Sequence, residues 1–207
     1  MLGDQSERQV LMRRQAGLGL IELMIGISIV AILMAAGTPS FIRWMQDAQN
    51  RAAAESVLNG LQLARMESLR RNAQVNFKLT DQDGKVAWSV GCKVPNADCP
   101  AIIQSRLPRE GGEAPRLGVN KDALVQPVAP GHFGAAIAPG TGLLAGVTFN
   151  YLGQAPGAGN GNDVTRIDVT NPDAAQARRY VITISSGGQV RMCDPALALA
   201  ANPQGCS

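Results

Sequence analysis

The chain has 207 residues and a formal net charge of +3, from 19 Lys and Arg against 16 Asp and Glu. This nearly even balance is not that of a protein that binds nucleic acid through bulk charge, and two Trp, two Tyr and four Phe are too few to form a stacking platform for single-stranded bases. The 23 Gly and 12 Pro lie mostly beyond the N-terminal segment and favour a β-rich globular part with many turns.

An apolar run occupies residues 18–42 and contains a single charge, the carboxylate of Glu22. A helix of this length can cross a bilayer of about 30 Å. A charge inside such a helix costs roughly 2.5–3.5 kcal/mol on insertion scales, so its presence indicates a specific function. Arg13 and Arg14 precede the run, and Gly17 stands directly before it.

This arrangement resembles the leader of type IV prepilins, which a dedicated prepilin peptidase cuts after the glycine. The resemblance implies cleavage between Gly17 and Leu18, loss of residues 1–17 as the leader peptide, and N-methylation of the new amino terminus at Leu18. It also implies that residues 18–45 form a transmembrane segment that becomes half of the filament core. Residues 46–207, called the head below, are then expected in the periplasm, carrying the outer half of the helix and an antiparallel β-sheet.

Glu22 and Pro39 have assembly roles under this interpretation. In a filament of packed apolar helices, the α-amino group of Leu18 on one subunit can pair with Glu22 of a neighbour. Neither charge then stays unpaired in an apolar core, where breaking a buried pair costs roughly 3–5 kcal/mol. Pro39 lies where pilins often carry a proline, and a proline inside a helix removes a hydrogen bond and bends the helix.

Two other interpretations of the N-terminus fit the sequence less well. An ordinary secretory signal also has a basic start and an apolar core, and Ala35-Ala36-Gly37 can serve as its cleavage site. The apolar run is longer than the usual core of about 7–15 residues, contains Glu22 and continues past Pro39, which favours the prepilin interpretation. A plain transmembrane anchor explains neither Gly17 nor Glu22.

Hydrophobic periodicity predicts one long helix over residues 18 to about 72, followed by strands. The outer half of this helix has one apolar stripe, opposite a charged face. The stripe consists of Ala54, Val57, Leu58, Leu61, Ala64 and Ser68. Residues 92–146, rich in Pro and Gly, give only weak strand signals. The predicted strands are 74–79, 86–90, 147–151, 165–169, 180–184 and 190–192.

Four cysteines, Cys92, Cys99, Cys193 and Cys206, allow three disulfide connectivities. The pairs 92–99 and 193–206 are favoured because each closes a short loop, and an exported head lies in an oxidising compartment where disulfides persist. Their spacing lacks the C-x-x-C pattern of a zinc site. We expect no metal and no cofactor.

Beyond the signal, the chain resembles the GspH/FimT family of minor pilins and pseudopilins. The resemblance implies an α+β fold of the type IV pilin kind, with a long N-terminal α-helix packed on a β-rich globular head. It is carried by Arg51, Leu61, Ala64-Arg65, Glu67, Arg71, Val75, Phe149-Asn150, Gly153 and the run Ile184 to Cys193.

Catalytic motifs are weak, so the chain is not expected to be an enzyme. The sole histidine, His132, lies in a loop-like Pro-Gly-His-Phe-Gly context without a nucleophile motif. The run Gly157 to Gly161 lacks the lysine and following helix of a phosphate-binding loop and is interpreted as a hairpin connection. Asp81 and Asp83 have too few oxygen ligands after them for a calcium loop.

The first functional hypothesis is a minor pilin that primes or caps a type IV pilus, with a pseudopilin of a type II secretion system as the alternative. The resemblance implies a single-pass inner-membrane protein that later enters a pilus or pseudopilus. Its implied partners are other major and minor pilins, the prepilin peptidase and the inner-membrane assembly platform.

A third hypothesis is double-stranded DNA binding during natural transformation. Some members of the FimT branch use a C-terminal Gly-Arg-x-Arg element, matched here by Gly188-Gln189-Val190-Arg191, in which Gln189 replaces the first arginine. Arg178 and Arg179 precede the neighbouring strand and are expected beside Arg191 across a hairpin. Otherwise these arginines form a solvated edge that discourages strand pairing.

Overall fold

The computed structural model describes residues 19–125, 127–129, 131–174 and 176–206. The expected cleavage site at Gly17 and Leu18 lies outside the described residues. The chain divides into two units, Met1–Phe41 and Ile42–Ser207. The helix α1, Leu20–Arg71, begins in the first unit and ends in the second.

In the first unit α1 is apolar and exposed. By length and composition the helix can cross a membrane, and none of its most apolar window is buried. Large contiguous apolar surfaces mark contacts with a membrane or another protein. Pro39 lies inside α1, as expected from the long helix predicted over residues 18 to about 72. The bend expected at this proline stays a prediction.

The C-terminus of α1 is fixed by a left-handed residue and by charge. Asn72 has φ +49°, and the N–H of Ala73 bonds the carbonyl of Ser68 at 3.2 Å. A left-handed residue just past the last turn satisfies carbonyl groups that the helix leaves unpaired. Arg70 and Arg71 in that turn complement the negative end of the helix dipole.

Eight β-strands follow α1 within the described residues. They are β1 Val75–Leu79, β2 Trp88–Cys92, β3 Gln104–Arg106, β4 Arg116–Asn120, β5 Gly146–Phe149, β6 Arg166–Thr170, β7 Tyr180–Ile184 and β8 Val190–Cys193. They form two four-stranded sheets, with orders β3-β2-β1-β5 and β4-β6-β7-β8, and every pairing is antiparallel. A long N-terminal helix with antiparallel sheets confirms the α+β prediction.

The apolar stripe of α1 packs on the first sheet. Trp88 donates its indole N–H to the hydroxyl of Ser56 at 3.0 Å, and a Cβ placed on Gly60 would lie 2.8 Å from the Phe77 ring. Of the predicted stripe only Leu58 is half-buried; the others are buried. The missing side chain at Gly60 therefore lets the helix approach β1 and β2 closely.

Both faces of the second sheet are covered. The inner face joins α1 and the first sheet in one core, to which Ile167 and Ile182 contribute. On the other face Val181 packs with Phe133 and with the Cys193–Cys206 pair in a smaller cluster. A segment expected to be a loop thus closes over β7.

The glycine-rich stretch after β5 is not a hairpin connection, so that interpretation is wrong. It joins β5 of the first sheet to β6 of the second and contains a short 3₁₀ helix, Pro156–Gly159. Gly157 lies against the carboxylate of Asp163, where a Cβ would approach within 2.3 Å. Close approach to a neighbouring side chain, rather than phosphate binding, explains a glycine at this position.

Candidate functional site

The expected assembly residue Glu22 lies in the first turn of α1, among exposed apolar side chains. Its neighbours Ile21 and Leu23 are 72% and 56% exposed. A carboxylate in the first turn interacts favourably with the positive end of the helix dipole. The amine of Leu18, with which Glu22 is expected to pair on a neighbouring subunit, lies outside the described residues.

The three arginines suggested for DNA binding occupy three different environments. Thr183 is the residue paired with Arg191 in the β7–β8 hairpin, so neither Arg178 nor Arg179 stands beside Arg191. That expected juxtaposition is wrong, because both arginines precede the paired part of β7.

Arg179 is held by a buried carboxylate. It forms an ion pair with Asp168, which is fully buried and is also bound by Arg166 through Nε at 2.7 Å and Nη2 at 2.9 Å. The backbone N–H of Ile137 donates to the same carboxylate at 3.1 Å. One buried acid thus serves two guanidinium groups, and charged groups removed from water are stable only when paired in this way.

The remaining donors of the two arginines bind the loop that covers β7. Four successive carbonyl groups accept hydrogen bonds from Arg166 or Arg179, and the Arg166 guanidinium also lies 5.1 Å from the centroid of the Phe133 ring. The carbonyls belong to His132, Phe133, Gly134 and Ala135. Arg179 therefore contributes to the closure of the head, and its guanidinium is largely withdrawn from solvent.

Arg191 binds the C-terminal tail. Its Nη2 donates to the carbonyls of Pro203 at 3.0 Å and Gly205 at 2.6 Å. The disulfide between Cys193 and Cys206 fixes the same tail against β8. Arg191 is half-buried in this arrangement, and two of its five side-chain N–H donors, both on Nη2, are used within the chain.

Gln189, at the position of the missing arginine, is exposed in the turn before β8. Its backbone N–H donates to the Ser185 hydroxyl at 3.1 Å, and Gly188 has φ +79°. Gln189 therefore stabilises the turn through its backbone and presents an uncharged side chain at the surface.

Arg178 is the exposed member of the group, and its backbone is attached to α1. Its N–H donates to the Asp47 carboxylate at 2.7 Å, and its carbonyl accepts from the Asn50 amide at 2.8 Å. These two bonds fix the connection between β6 and β7 to the beginning of the helix in the second unit. No local sequence pattern indicates this contact, because about 130 residues separate the partners.

The first disulfide lies at the other end of α1. It joins Cys92 to Cys99, so both bonds match the short-loop pairing that the sequence favours. The closed loop is attached to the helix, because Arg71 donates to the carbonyl of Asp98. Glu67 bonds both Arg70 and Arg71, and the bond from Arg70, followed by that from Arg71, lowers the pKa of Glu67 against the opposing effect of partial burial.

A cavity of about 670 Å³ lies between β7, β8, the loop over β7 and the tail. Leu124, Phe133 and Leu199 line it together with Arg191, and its described lining includes no carboxylate or imidazole group. The cavity therefore lacks the usual side chains for acid–base catalysis. No cluster of His, Cys, Asp and Glu suited to a metal ion occurs among residues 19–206 that the structure describes.

Comparison with protein families gives two matches. Residues 53–188 match the family described as type II transport protein GspH, and residues 12–38 match the prokaryotic N-terminal methylation motif. The second match includes the expected cleavage site and Glu22. No curated protein matches the chain.

The solved structures to which this chain is similar include a type IV minor pilin and a minor pseudopilin. The type IV minor pilin FimU of Pseudomonas aeruginosa is 20% identical, with 76% of this chain and 99% of that chain covered and a TM-score of 0.43. The minor pseudopilin EpsH from the type 2 secretion system of Vibrio cholerae is 11% identical, with 72% and 99% covered and a TM-score of 0.45.

Proposed function

This chain belongs to the family of the type II transport protein GspH, and from that premise we propose that it is a minor pilin of a type IV pilus, incorporated in the filament or at its tip. Family membership and the N-terminal methylation motif make it a minor pilin or pseudopilin of a type IV pilus or a type II secretion system. The assignment to the pilus, and the partners below, are the proposal.

The observation that carries the proposed role in filament assembly, which a pilus and a pseudopilus share, is the lone carboxylate of Glu22 at the start of an exposed apolar helix. In the membrane this segment anchors the subunit; in the filament it packs against the equivalent segments of major and minor pilins. A prepilin peptidase releases the amine of Leu18, and the inner-membrane assembly platform receives the mature subunit with its head in the periplasm. The head then remains outside the apolar bundle.

The proposal is tested by the variant Glu22→Ala, with Glu113→Ala as the matched control at an exposed head position. The Glu22 variant is expected to insert and to be processed normally, because removing the charge lowers the cost of insertion. Its incorporation into sheared pili is expected to fall strongly, since the amine of a neighbour loses its counter-charge. Quantitative immunoblots of the membrane and pilus fractions measure both quantities.

Normal recovery of the Glu22→Ala protein in pili would refute the pairing argument. A companion variant, Gly17→Glu, is expected to block processing, so a mature-sized band from it would contradict the cleavage assignment.

The pseudopilin alternative makes a different prediction in cells. Deleting the gene is expected to reduce surface pili while leaving secretion of folded exoproteins unchanged. Loss of exoprotein secretion with normal piliation would instead assign the chain to a type II secretion system. Complementation with the wild-type gene controls for effects on neighbouring genes.

DNA uptake is the weaker alternative, because Arg179 and Arg191 are engaged within the chain and Gln189 carries no charge. Phosphate contacts need accessible guanidinium or ammonium groups, and each contributes a salt-sensitive part of the affinity. A gel-shift titration with duplex DNA at two salt concentrations is expected to show no specific binding. Salt-sensitive binding abolished by Arg191→Ala would contradict this expectation.

A further inference from the structure

Arg178 lies at the same end of the second unit as the residues that immediately follow the apolar run. Its backbone is bonded to Asp47 and Asn50, whereas the run ends at Ile42 and is followed by Arg43 and Trp44. At 1.5 Å per residue, Asp47 is only about 6 Å along the helix from Arg43. The β6–β7 connection is therefore attached to α1 close to Ile42, the residue at which the apolar run ends.

Residues 43 and 47 are four apart and so share one face of α1. That face continues into the buried side chains of Asn50 and Ala54, against which the head packs. Arg43 therefore lies on the same side of the helix as the β6–β7 connection. Neither Arg43 nor Arg178 is in an ion pair with any residue that the structure describes, whereas Arg179 is.

Trp44 gives this end of the molecule an amphipathic aromatic group. Its side chain is 66% exposed, in contrast to the buried Trp88. Tryptophan concentrates at membrane–water interfaces, where its ring lies at the depth of the headgroups. Basic residues next to an apolar span are attracted to anionic lipid, each by an amount that corresponds to about a fivefold change in the equilibrium.

We propose that Arg43, Trp44 and Arg178 form a membrane-surface patch that binds the headgroups of anionic phospholipids before assembly. This inference rests on the proposed membrane anchor and adds a second, charge-dependent contact between the head and the bilayer. Asp47 holds the Arg178 backbone in place, and Asp173 in the same connection opposes the attraction. Both arginines lie within about one Debye length of the surface when Trp44 is at headgroup depth.

The test uses the full-length chain in nanodiscs of phosphatidylcholine alone and in nanodiscs that also contain phosphatidylglycerol. Limited trypsin digestion is followed by mass spectrometry, which measures the rates of cleavage after Arg178–Arg179 and after Arg109 in the same molecule. Arg109 is exposed in the turn after β3 and serves as the internal control. Co-elution of the chain with the discs reports the anchor independently.

Phosphatidylglycerol is expected to slow cleavage at Arg178–Arg179 without changing the rate at Arg109, and added salt should remove the difference. Arg43→Gln is expected to reduce this protection about fivefold and Asp173→Asn to increase it, whereas Lys93→Gln, at an exposed position beside the Cys92–Cys99 bond, should have no effect. Replacing Trp44 by Phe should remove the fluorescence component that brominated lipids quench.

Equal cleavage in the two kinds of disc, or protection unchanged by Arg43→Gln, would overturn the proposed patch. If the chain still co-elutes with the discs in that case, the anchor stands and only the patch fails. If the chain does not enter the discs, the anchor itself fails. Protection by duplex DNA in phosphatidylcholine discs, with none from phosphatidylglycerol, would assign Arg178 to nucleic acid and also overturn the proposal.

Discussion

At the scale of single residues, the stability of the head depends on one buried carboxylate, that of Asp168. Asp168 forms ion pairs with two guanidinium groups that in turn bind four carbonyls of the covering loop. Removal of this carboxylate would leave Arg166 and Arg179 with an uncompensated charge in a poorly solvated site.

We expect Asp168→Asn to lower the free energy of unfolding by roughly 3–5 kcal/mol, the usual cost of breaking a buried ion pair. Asp83→Asn, at an exposed turn position, is the control and should change it by about 0.5 kcal/mol or less. Urea unfolding followed by the fluorescence of the buried Trp88 measures both. Similar midpoints for the two variants would show that the network contributes little to stability.

Glu67 makes the free energy of unfolding depend on pH in the acidic range. Its hydrogen bond from Arg70, and then that from Arg71, lower its pKa in the folded state. A carboxyl with a lowered folded pKa stabilises the fold fully above its unfolded-state pKa of about 4.3, and this contribution is lost as the pH falls through the folded value.

Glu67→Gln should therefore destabilise the chain at about pH 7 but flatten the decline in stability between about pH 5 and pH 3. Unfolding midpoints of the variant and the wild type across this range measure the difference. The control is Glu113→Gln, which should follow the wild-type curve. Parallel curves for Glu67→Gln and the wild type would exclude the linkage.

Local sequence located the arginines but could not assign their roles. Arg166 and Asp168, two apart on a strand and so on one face, are a pattern that could have indicated an ion pair. The carbonyl partners of Arg179 lie more than forty residues away, and only the folded chain brings them together.

At the scale of elements, Gly60 decides how closely α1 approaches the first sheet. Replacing a helical glycine with alanine ordinarily favours the helix by about 1 kcal/mol. Here the added Cβ would lie 2.8 Å from Phe77 and 3.1 Å from Trp88. Insertion of a methyl group into a packed core costs roughly 1–3 kcal/mol, so the steric effect should exceed the gain in helix propensity.

Gly60→Ala is therefore expected to destabilise the head, whereas Asn59→Ala on the exposed side of α1 should be neutral or stabilising. Thermal unfolding of the two variants measures whether each substitution raises or lowers the melting temperature. A higher melting temperature for Gly60→Ala would show that the helix can move away from the sheet at little cost.

Six of the eight described strands were predicted, and the two that were missed have clear physical reasons. In β4, three consecutive residues centred on Gly118 are buried, so the alternation of apolar and polar residues that marks a half-exposed strand is absent. Gly118 also lies against the backbone of Ala138, where a side chain would not fit. The strand β3 has only three residues and no apolar position.

At the scale of the whole molecule, the two disulfides act on different sheets of the second unit, because Cys92 ends β2 of the first sheet and Cys193 ends β8 of the second. The bond between Cys193 and Cys206 has a sequence separation of 13 and holds the tail over the outer face of the second sheet. For a loop of this size the chain-entropy model gives about 3 kcal/mol of stabilisation.

Loss of this bond in Cys193→Ser/Cys206→Ser should lower stability by about 3 kcal/mol and increase hydrogen exchange over residues 194–206. The bonds from Arg191 to the tail should weaken with it. The matched variant Cys92→Ser/Cys99→Ser should leave exchange in the tail unchanged. Unaltered exchange after loss of the 193–206 bond would show that Arg191 and local turns suffice to hold the tail.

The attachment of Arg178 to Asp47 and Asn50 also has a mechanical consequence. A force applied to the chain before Ile42 enters the second unit at this end of α1, so these two hydrogen bonds bear load before the Ser56–Trp88 bond and the contact at Gly60 do. The β6–β7 connection should therefore be the first part of the head to detach from α1 under tension.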